Sequence, residues 1–387
     1  MKNIYLDAAS TTRPKTEVVD AMLPYLTDKY HNPSSLYSPS VLIKTDIEKA
    51  RKIIADFISA DSEEIYFTSG GSESNCWAIR GWIDNKIKNG SKSIVVITTP
   101  IEHKSIMEFH VANVLNFVTF ATVKVDSDGF VDVNHLDNLL DEYKEHDVLV
   151  SIQMANNEIG TIQKIGMLSC FVHDHNATLH VDAVQAFGQI PIHVNRMGID
   201  MLSASGHKIG TPKGIGILYK NKNIEIEPLI YGSQMDGLRG GTENVPYIIG
   251  FARAVKLANY HTNSGSFAVE VWRNNFIKKL ENIGCKLIGS RHVRLPNNIN
   301  VMLPEGVGAE EMLYILDTSL IYISTGSACN SHSIEPSHVL KAIGLTDEEA
   351  MRCIRITLPD DFDCDIINQV ICSIEKNIKL LQSECND

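Results

Sequence analysis

The sequence of 387 residues lacks the patterns of several common protein classes. It has no run of 18 apolar residues, which predicts that no part of it spans a membrane. Its eight cysteines include no CxxC pair, so neither a disulfide framework nor a zinc ribbon is expected. With 35 basic and 47 acidic residues, the net charge is −12. Such a chain has no general attraction to nucleic acid or to an anionic membrane.

Other absences narrow the chemistry. HExxH, GxSxG and the phosphate-loop pattern GxxxxGK(S/T) do not occur, and there is no internal repeat. His173 and His175, with Cys170 upstream, suggest either a metal site or the end of a surface helix. We favour the helix end because no second pair of ligands has suitable spacing. Unpaired thiols and an opening segment without an apolar signal region predict a reducing, cytoplasmic setting and no bound metal.

Apolar strands and amphipathic helices alternate through most of the chain. This alternation predicts a mainly parallel sheet covered by helices. A helix is expected near 41–58, and the expected strands are 64–67, 93–98, 147–153, 178–181, 201–204 and 215–219. Beyond about residue 260, long helices (269–283 and 365–381) accompany short strands (298–302, 320–324 and 355–358). We therefore predict a large domain over 15–260 and a small α+β domain formed by 1–14 with 261–387.

A run of small residues, Thr68 to Asn75, lies between a predicted strand and a predicted helix. Small residues let the backbone approach a ligand closely, and a helix N-terminus offers free N–H groups to an anion such as a phosphate. The alternative is an ordinary helix cap made by Ser69 or Ser72.

Two ionisable residues follow buried strands. Asp182 ends one strand, where a carboxylate is costly unless it is paired, so it makes either a structural salt bridge or a bond to a protonated heterocycle. Lys208, after Ser205 and His207, ends the next strand. A lysine at a strand end usually reaches solvent, but beside a phosphate-type loop and a strand-end aspartate it fits a Schiff-base lysine.

Taken in order, these motifs resemble the cysteine desulfurases of the NifS/IscS type, within the class V aminotransferase-like enzymes that use pyridoxal phosphate (PLP). The resemblance runs nearly end to end. The matching segments are Tyr5–Thr12, Asn32–Ser35, Thr68–Ser74, Glu102–Lys104, Asn156–Gly160, Asp182–Gln185, Ser205–Lys208, Arg239–Asn244 and Ser324–Cys329.

The resemblance implies a role for each matching residue. Lys208 would bind PLP covalently, Asp182 would bond its ring nitrogen, and His103 would stack on the ring and shuttle protons. Gln185 would bond the phenolic oxygen. The phosphate would be held by Gly71, Ser72, Ser205 and His207, with Thr242 supplied by a second subunit. Asn157 and Arg355 would bind the substrate carboxylate, with Asn32 nearby.

Cys329 would select the reaction. Its neighbours are small and polar, which predicts a mobile segment whose thiolate attacks the sulfur of bound cysteine and leaves carrying a persulfide. The alternative is a structural thiol. Such a thiol is expected to have apolar neighbours, as Cys372 has, and we therefore predict that Cys372 is buried.

The resemblance also implies a fold and a partner. The fold would be α/β, the PLP-dependent transferase fold type I, with a mostly parallel seven-stranded sheet in the large domain and a small α+β domain. The protein would be a homodimer that converts L-cysteine to L-alanine and passes sulfur to an acceptor protein, such as an iron–sulfur scaffold. Transfer-RNA thiolation, thiamine or molybdenum cofactor synthesis and DNA modification are alternative destinations.

The alternative functions are another PLP reaction on this scaffold (selenocysteine lyase, cysteine lyase or transaminase) and the role of a non-catalytic scaffold. The chain departs from the family pattern at Ser233, Asp236, Gly240 and Pro359.

Overall fold

The computed structural model describes residues 3–111, 118–264, 266–325, 335–360 and 362–384. Cys329, the predicted sulfur carrier, lies outside these residues. The strands are β1 Ile4–Tyr5, β2 Ile65–Thr68, β3 Ile94–Thr98, β4 Val118–Thr122, β5 Asp147–Gln153, β6 Thr178–Asp182, β7 Met201–Ser205, β8 Gly216–Lys220, β9 Lys286–Leu287, β10 Asn298–Met302, β11 Ile321–Tyr322, β12 Ser324–Thr325 and β13 Cys353–Thr357.

The helices connect these strands, and the last helix follows the last strand. They are α1 Thr16–Thr27, α2 Ser38–Ile58, α3 Gly71–Lys88, α4 Lys104–Val111, α5 Val133–Glu142, α6 Ile165–Asp174, α7 Val194–Met197, α8 Val245–Ser264, α9 Ser266–Asn282, α10 Ala309–Thr318, α11 His338–Ala342, α12 Asp347–Ala350 and α13 Ile366–Glu384.

The central sheet has seven strands in the order β2-β8-β7-β6-β5-β3-β4. Only β8 runs against its neighbours, so the sheet is mixed and mostly parallel. This confirms the predicted α/β fold class. The strands of the sheet that the sequence predicted start and end within one residue of their predicted positions.

Both faces of this sheet are covered, which explains why nearly every residue of its inner strands is buried. Because side chains alternate along a strand, Val95 and Ile97 of β3 enter one hydrophobic core. Ile94 and Val96 enter a second core on the other face, with Trp77 of α3. Two apolar cores thus hold the sheet in place and fix the positions of its strand ends.

The C-terminal part contains a four-stranded antiparallel sheet, β12-β13-β10-β9. Its core combines residues from the strands and from α9, α10 and α13 with Ile4 and Leu6 of the N-terminal segment. The predicted strand 320–324 is two short strands separated at Ile323. The predicted division into domains near residue 260 stays a prediction.

The predicted burial of Cys372 is wrong. On α13 the buried residues Val370, Ile371 and Ile374 form one face, and Cys372 lies on the opposite, exposed face. Apolar neighbours in sequence do not bury a helical residue, because positions i and i+1 point about 100° apart.

Other features of the surface agree with the sequence. Helix α6 ends at Asp174, as the surface-helix interpretation of this region predicted. His173 and His175 bind different carboxylates, those of Asp200 and Asp141.

None of the helices in the described ranges is both long and apolar enough to cross a membrane.

Candidate active site

Strands β6 and β7 bring two predicted site residues to one edge of the sheet. The strands are parallel, with Asp182 paired to Ser203, and β7 continues through Ser205 into a single helical turn that ends at Lys208. Carboxyl ends of parallel strands form the usual ligand-binding edge of such sheets. The candidate site therefore lies at this edge.

Asp182 is a buried carboxylate, 6% exposed, whose bonds come from neutral donors. Its Oδ2 accepts from Nδ2 of Asn75 at 2.7 Å, and its Oδ1 accepts from the backbone N–H of Val184 at 2.9 Å. Within the part of the chain that the structure describes, no cationic side chain forms an ion pair with it. The alternative of a structural salt bridge is therefore not realised there, and the carboxylate keeps the capacity to accept a bond from a protonated ring nitrogen.

The N-terminus of α3 lies beside these strand ends. A Cβ added to Gly71 would sit 2.5 Å from Cγ2 of Val184 and 3.7 Å from Cβ of Ser205, so only glycine fits there. Ser72 follows on the exposed first turn. The first turn of an 18-residue helix carries unpaired N–H groups and a partial positive charge. Gly71, Ser72 and Ser205 together suit a phosphate.

His207 is held as a neutral imidazole. Burial, together with the charges of Lys208 and Lys213, lowers its pKa to about 4. Its Nδ1 lies 3.2 Å from Oγ1 of Thr11, and its backbone oxygen accepts from both the N–H and the hydroxyl of Thr12. The N-terminal segment therefore fixes this turn in place.

The same N-terminal segment contacts Lys208 and Gln185. Nζ of Lys208 donates to the backbone oxygens of Ala9 at 2.5 Å and Ser10 at 3.0 Å. Nε2 of Gln185 also donates to Ala9 O, at 3.0 Å. The sequence matched this segment to the family but gave it no role, although it is where the amine of Lys208 is held.

Arg355 on β13 is 5% exposed at its side chain and already has several partners. Its Nη2 donates to Asp7 Oδ1 and to Ser10 Oγ, each at 2.8 Å, and its Nη1 donates to the backbone oxygen of Asn157 at 3.1 Å. A carboxylate can form two hydrogen bonds to a guanidinium either at Nε and Nη2 or at Nη1 and Nη2. Both arrangements use Nη2. A substrate carboxylate binding in this way must therefore replace Asp7 or Ser10.

His103 stands at the N-terminus of α4, where its Nδ1 accepts from the backbone N–H of Ser105 at 3.1 Å. The neighbouring Glu102 is fully buried, which raises its pKa to about 8, and the charge of Asp182 adds to this rise. The raised pKa favours the neutral form of Glu102, which limits the negative charge near Asp182.

Two predicted residues, Asn32 and Thr242, are not gathered at this edge within one chain. Asn32 is exposed and accepts from the backbone N–H of Ser34 at 2.9 Å. Thr242 is exposed too. Their neighbours Ser34 and Glu243 line a separate cleft of about 660 Å³. Asn157 is half-buried and contacts Arg355 through its backbone, while Cys329 lies outside the described residues.

Two residues at the site that the sequence did not single out are Asn75 and Ser105. Asn75 closes the small-residue motif of α3, but nothing in its spacing marks it as a partner of Asp182. Ser105 follows the matched Glu102–Lys104 segment and carries no pattern of its own. Only the packing of α3 against α4 shows them.

The chemistry of these groups fits PLP. An amine that can react with an aldehyde, a carboxylate with no cationic partner among the described residues and a helix N-terminus with small residues match the aldehyde, the ring nitrogen and the phosphate in turn. Gly71 supplies the close approach that the phosphate needs, since any larger residue would clash with Val184.

Comparison with known proteins identifies the family. The class V aminotransferase family model matches residues 4–359, so the chain belongs to the class V aminotransferases. Within that class it is similar to the cysteine desulfurase IscS of Dictyoglomus turgidum, with 41% identity covering 99% of this chain and 96% of that relative.

Solved structures agree. A NifS-like protein matches with a TM-score of 0.91 and 33% identity, covering 98% of this chain and all of that one. SspA in complex with cysteine matches with a TM-score of 0.79 and 34% identity, covering 92% of this chain and 99% of that one.

Proposed function

We propose that this protein is a PLP-dependent cysteine desulfurase. It removes sulfur from L-cysteine, releases L-alanine and leaves the sulfur as a persulfide on Cys329, from which a thiol of an acceptor protein takes it. The observation that carries the proposal is the meeting of Lys208 and Asp182 at one sheet edge beside the N-terminus of α3. The similarity to cysteine desulfurases over nearly the whole chain supports the choice of substrate.

Each residue contributes a defined action. Lys208 provides the amine that anchors the cofactor, and the carbonyls of Ala9 and Ser10 hold that amine whenever it is released. Asp182 keeps the proton on the ring nitrogen, and bound PLP then supplies an electron sink. Gln185 bonds the phenolic oxygen, while Gly71, Ser72, Ser205 and His207 hold the phosphate.

The substrate is oriented by its carboxylate. Arg355 presents a buried guanidinium, whose Nε has no hydrogen-bond partner in the described part of the chain. An incoming carboxylate replaces Asp7 or Ser10 at Nη2 and gains a charge-assisted pair, with Asn157 completing its contacts. The thiolate of Cys329 attacks the substrate sulfur: a sulfur–sulfur bond forms as the carbon–sulfur bond breaks, and a proton completes the methyl group of alanine.

A direct assay separates this function from its rivals. We expect the purified protein with PLP to release alanine from L-cysteine and, without an acceptor, to hold sulfur on Cys329. A lyase acting on selenocysteine, a cysteine lyase or a transaminase needs no protein-bound sulfur. Alanine formed without any persulfide would exclude the sulfur-carrier part of the proposal, and absence of visible PLP absorbance would indicate a non-catalytic scaffold.

We also propose that the protein is a homodimer with shared sites, in which Thr242 contacts the phosphate of the second copy. Large apolar side chains support this, since Leu36 is 96% exposed and Tyr231 is 82% exposed. Both lie on loops whose neighbouring residues line the 660 Å³ cleft. Exposed apolar surface of this kind marks association sites.

The dimer can be tested by light scattering. We expect a mass about twice the chain's 42.9 kDa. Leu36→Asp should shift the protein toward monomer and weaken PLP binding, because a charge would enter the interface. Leu380→Asp, on the 45%-exposed Leu380 of α13, is the matched control and should stay dimeric. A wild-type monomer that keeps PLP and activity would refute shared sites.

Asp182→Asn tests the bond to the ring nitrogen. The amide has the same size but no charge, so we expect PLP to be retained in part and activity to fall by more than about tenfold, or about 1.4 kcal/mol of barrier. Asp200→Asn is the control, because Asp200 also accepts from a backbone N–H, that of Leu179, away from the site. A smaller loss in Asp182→Asn than this would assign Asp182 a structural role.

A further inference from the structure

Asn75 is a buried amide, 1% exposed, that joins two groups of the site. Its Nδ2 donates to Oδ2 of Asp182 at 2.7 Å and to the hydroxyl oxygen of Ser105 at 3.0 Å. An ionised carboxylate only accepts, so the amide cannot turn its oxygen toward Asp182. Both donors of Nδ2 are thereby committed, and the orientation of Asn75 is fixed.

The hydroxyl of Ser105 is oriented in turn. Because its oxygen accepts from Asn75, its proton is available to Nδ1 of His103, which lies 2.8 Å from that oxygen. The backbone N–H of Ser105 donates to the same Nδ1 at 3.1 Å. An amide N–H can only donate, so Nδ1 carries a lone pair and the neutral ring has its proton on Nε2.

We propose that Asn75 and Ser105 are positioning residues that fix the tautomer and the orientation of His103. The bonds run in one direction, from Asn75 through Ser105 to His103. His103 therefore presents an N–H donor from Nε2, while Nδ1 accepts from the two Ser105 donors. Asn75 also bonds Asp182, so it fixes the position of Asp182 relative to the imidazole of His103.

This inference rests on the proposed function only in that it places His103 at the bound cofactor. The geometry itself involves described residues of one chain and requires no ligand. The position also offers a matched pair of variants. Ser105→Thr keeps the hydroxyl, whereas Ser105→Val has nearly the shape of threonine and lacks it.

Nitrogen-15 chemical shifts of labelled histidine in the PLP-loaded protein test the tautomer directly, with His103→Gln used to assign the signal. We expect the Nε2–H form in the wild type and in Ser105→Thr. Ser105→Val should add a visible fraction of the Nδ1–H form, because the backbone N–H of residue 105, at 3.1 Å, then holds Nδ1 without the closer hydroxyl donor at 2.8 Å. Ser151→Ala, which removes a similar hydroxyl contact from His180 in the sheet, should leave the His103 signal unchanged.

Steady-state kinetics provide a second test of the positioning role. Loss of one oriented hydrogen bond should lower kcat of Ser105→Val about tenfold relative to Ser105→Thr, with KM changed less than about twofold. Asn75→Leu should add little to the change in the His103 signals that Ser105→Val causes, because both residues act on His103 through one chain of bonds; the loss of the Asn75 bond to Asp182 is a separate effect on activity.

The possible failures are distinguishable. If the wild type makes no alanine from cysteine, the proposed function fails while the nitrogen-15 spectra still decide the tautomer. A wild-type His103 protonated on Nδ1, or identical spectra for Ser105→Val and Ser105→Thr, would overturn the inference.

Discussion

Replacing Lys208 by alanine is expected to abolish turnover, with a loss of more than about a thousandfold. The reason is structural: Lys208 places the amine at the sheet edge, where Ala9 and Ser10 hold it. Without that amine PLP has no covalent attachment. Borohydride reduction followed by mass spectrometry should find the cofactor on Lys208 in the wild type and nowhere in the variant.

Lys213→Ala is the matched control for this experiment. Lys213 is exposed and lies five residues further along the same segment. Its variant should keep covalent PLP and near wild-type activity. Full activity in Lys208→Ala would remove the basis of the site assignment.

Cys329→Ser is expected to stop sulfur transfer while leaving PLP bound. Serine has nearly the size of cysteine, but its hydroxyl cannot form a persulfide and is a much weaker nucleophile. The cofactor's absorbance should still change on addition of L-cysteine, because substrate binding does not involve this residue. Neither alanine nor sulfide should follow at more than about one hundredth of the wild-type rate.

The other cysteines determine which residue would be assigned as the sulfur carrier if Cys329→Ser stayed active. Burial raises the pKa of Cys353 and of Cys285 to about 12, so neither thiol supplies a thiolate at neutral pH. Cys364 is exposed and serves as the control: Cys364→Ser should retain activity. If Cys329→Ser makes alanine and sulfide at near wild-type rate, an exposed thiol such as Cys364 carries the sulfur instead.

The sequence predicted the inner strands of the fold well. Strand β3 is a nearly continuous apolar run because both faces of the sheet are covered, and the sequence alone shows that pattern. The edge strand β4 has exposed residues at Thr119 and Thr122, and β1 and β9 contain two residues each. Such strands exist only through their partners, so local sequence does not indicate them.

The site likewise contains residues that local sequence predicts and contacts that it does not predict. Asp182 and Lys208 follow buried strands, and the pairing of those strands brings them to one edge. The contact of Lys208 with Ala9 joins residues 199 positions apart. Nothing in either local segment encodes it, because it arises from how the N-terminal segment packs on the turn after β7. The link from Asn75 to Ser105 likewise depends on the packing of two helices.

The central claim is that sulfur leaves L-cysteine through Cys329. The most direct measurement is peptide mass mapping of the PLP-loaded protein after one turnover with L-cysteine and no acceptor, with alanine quantified in the same sample. The account predicts one added sulfur atom on the peptide containing Cys329, in an amount equal to the alanine formed, and none on the Cys170, Cys364 or Cys372 peptides. Alanine formed while the Cys329 peptide stays unmodified, or sulfur found on another cysteine, would contradict it.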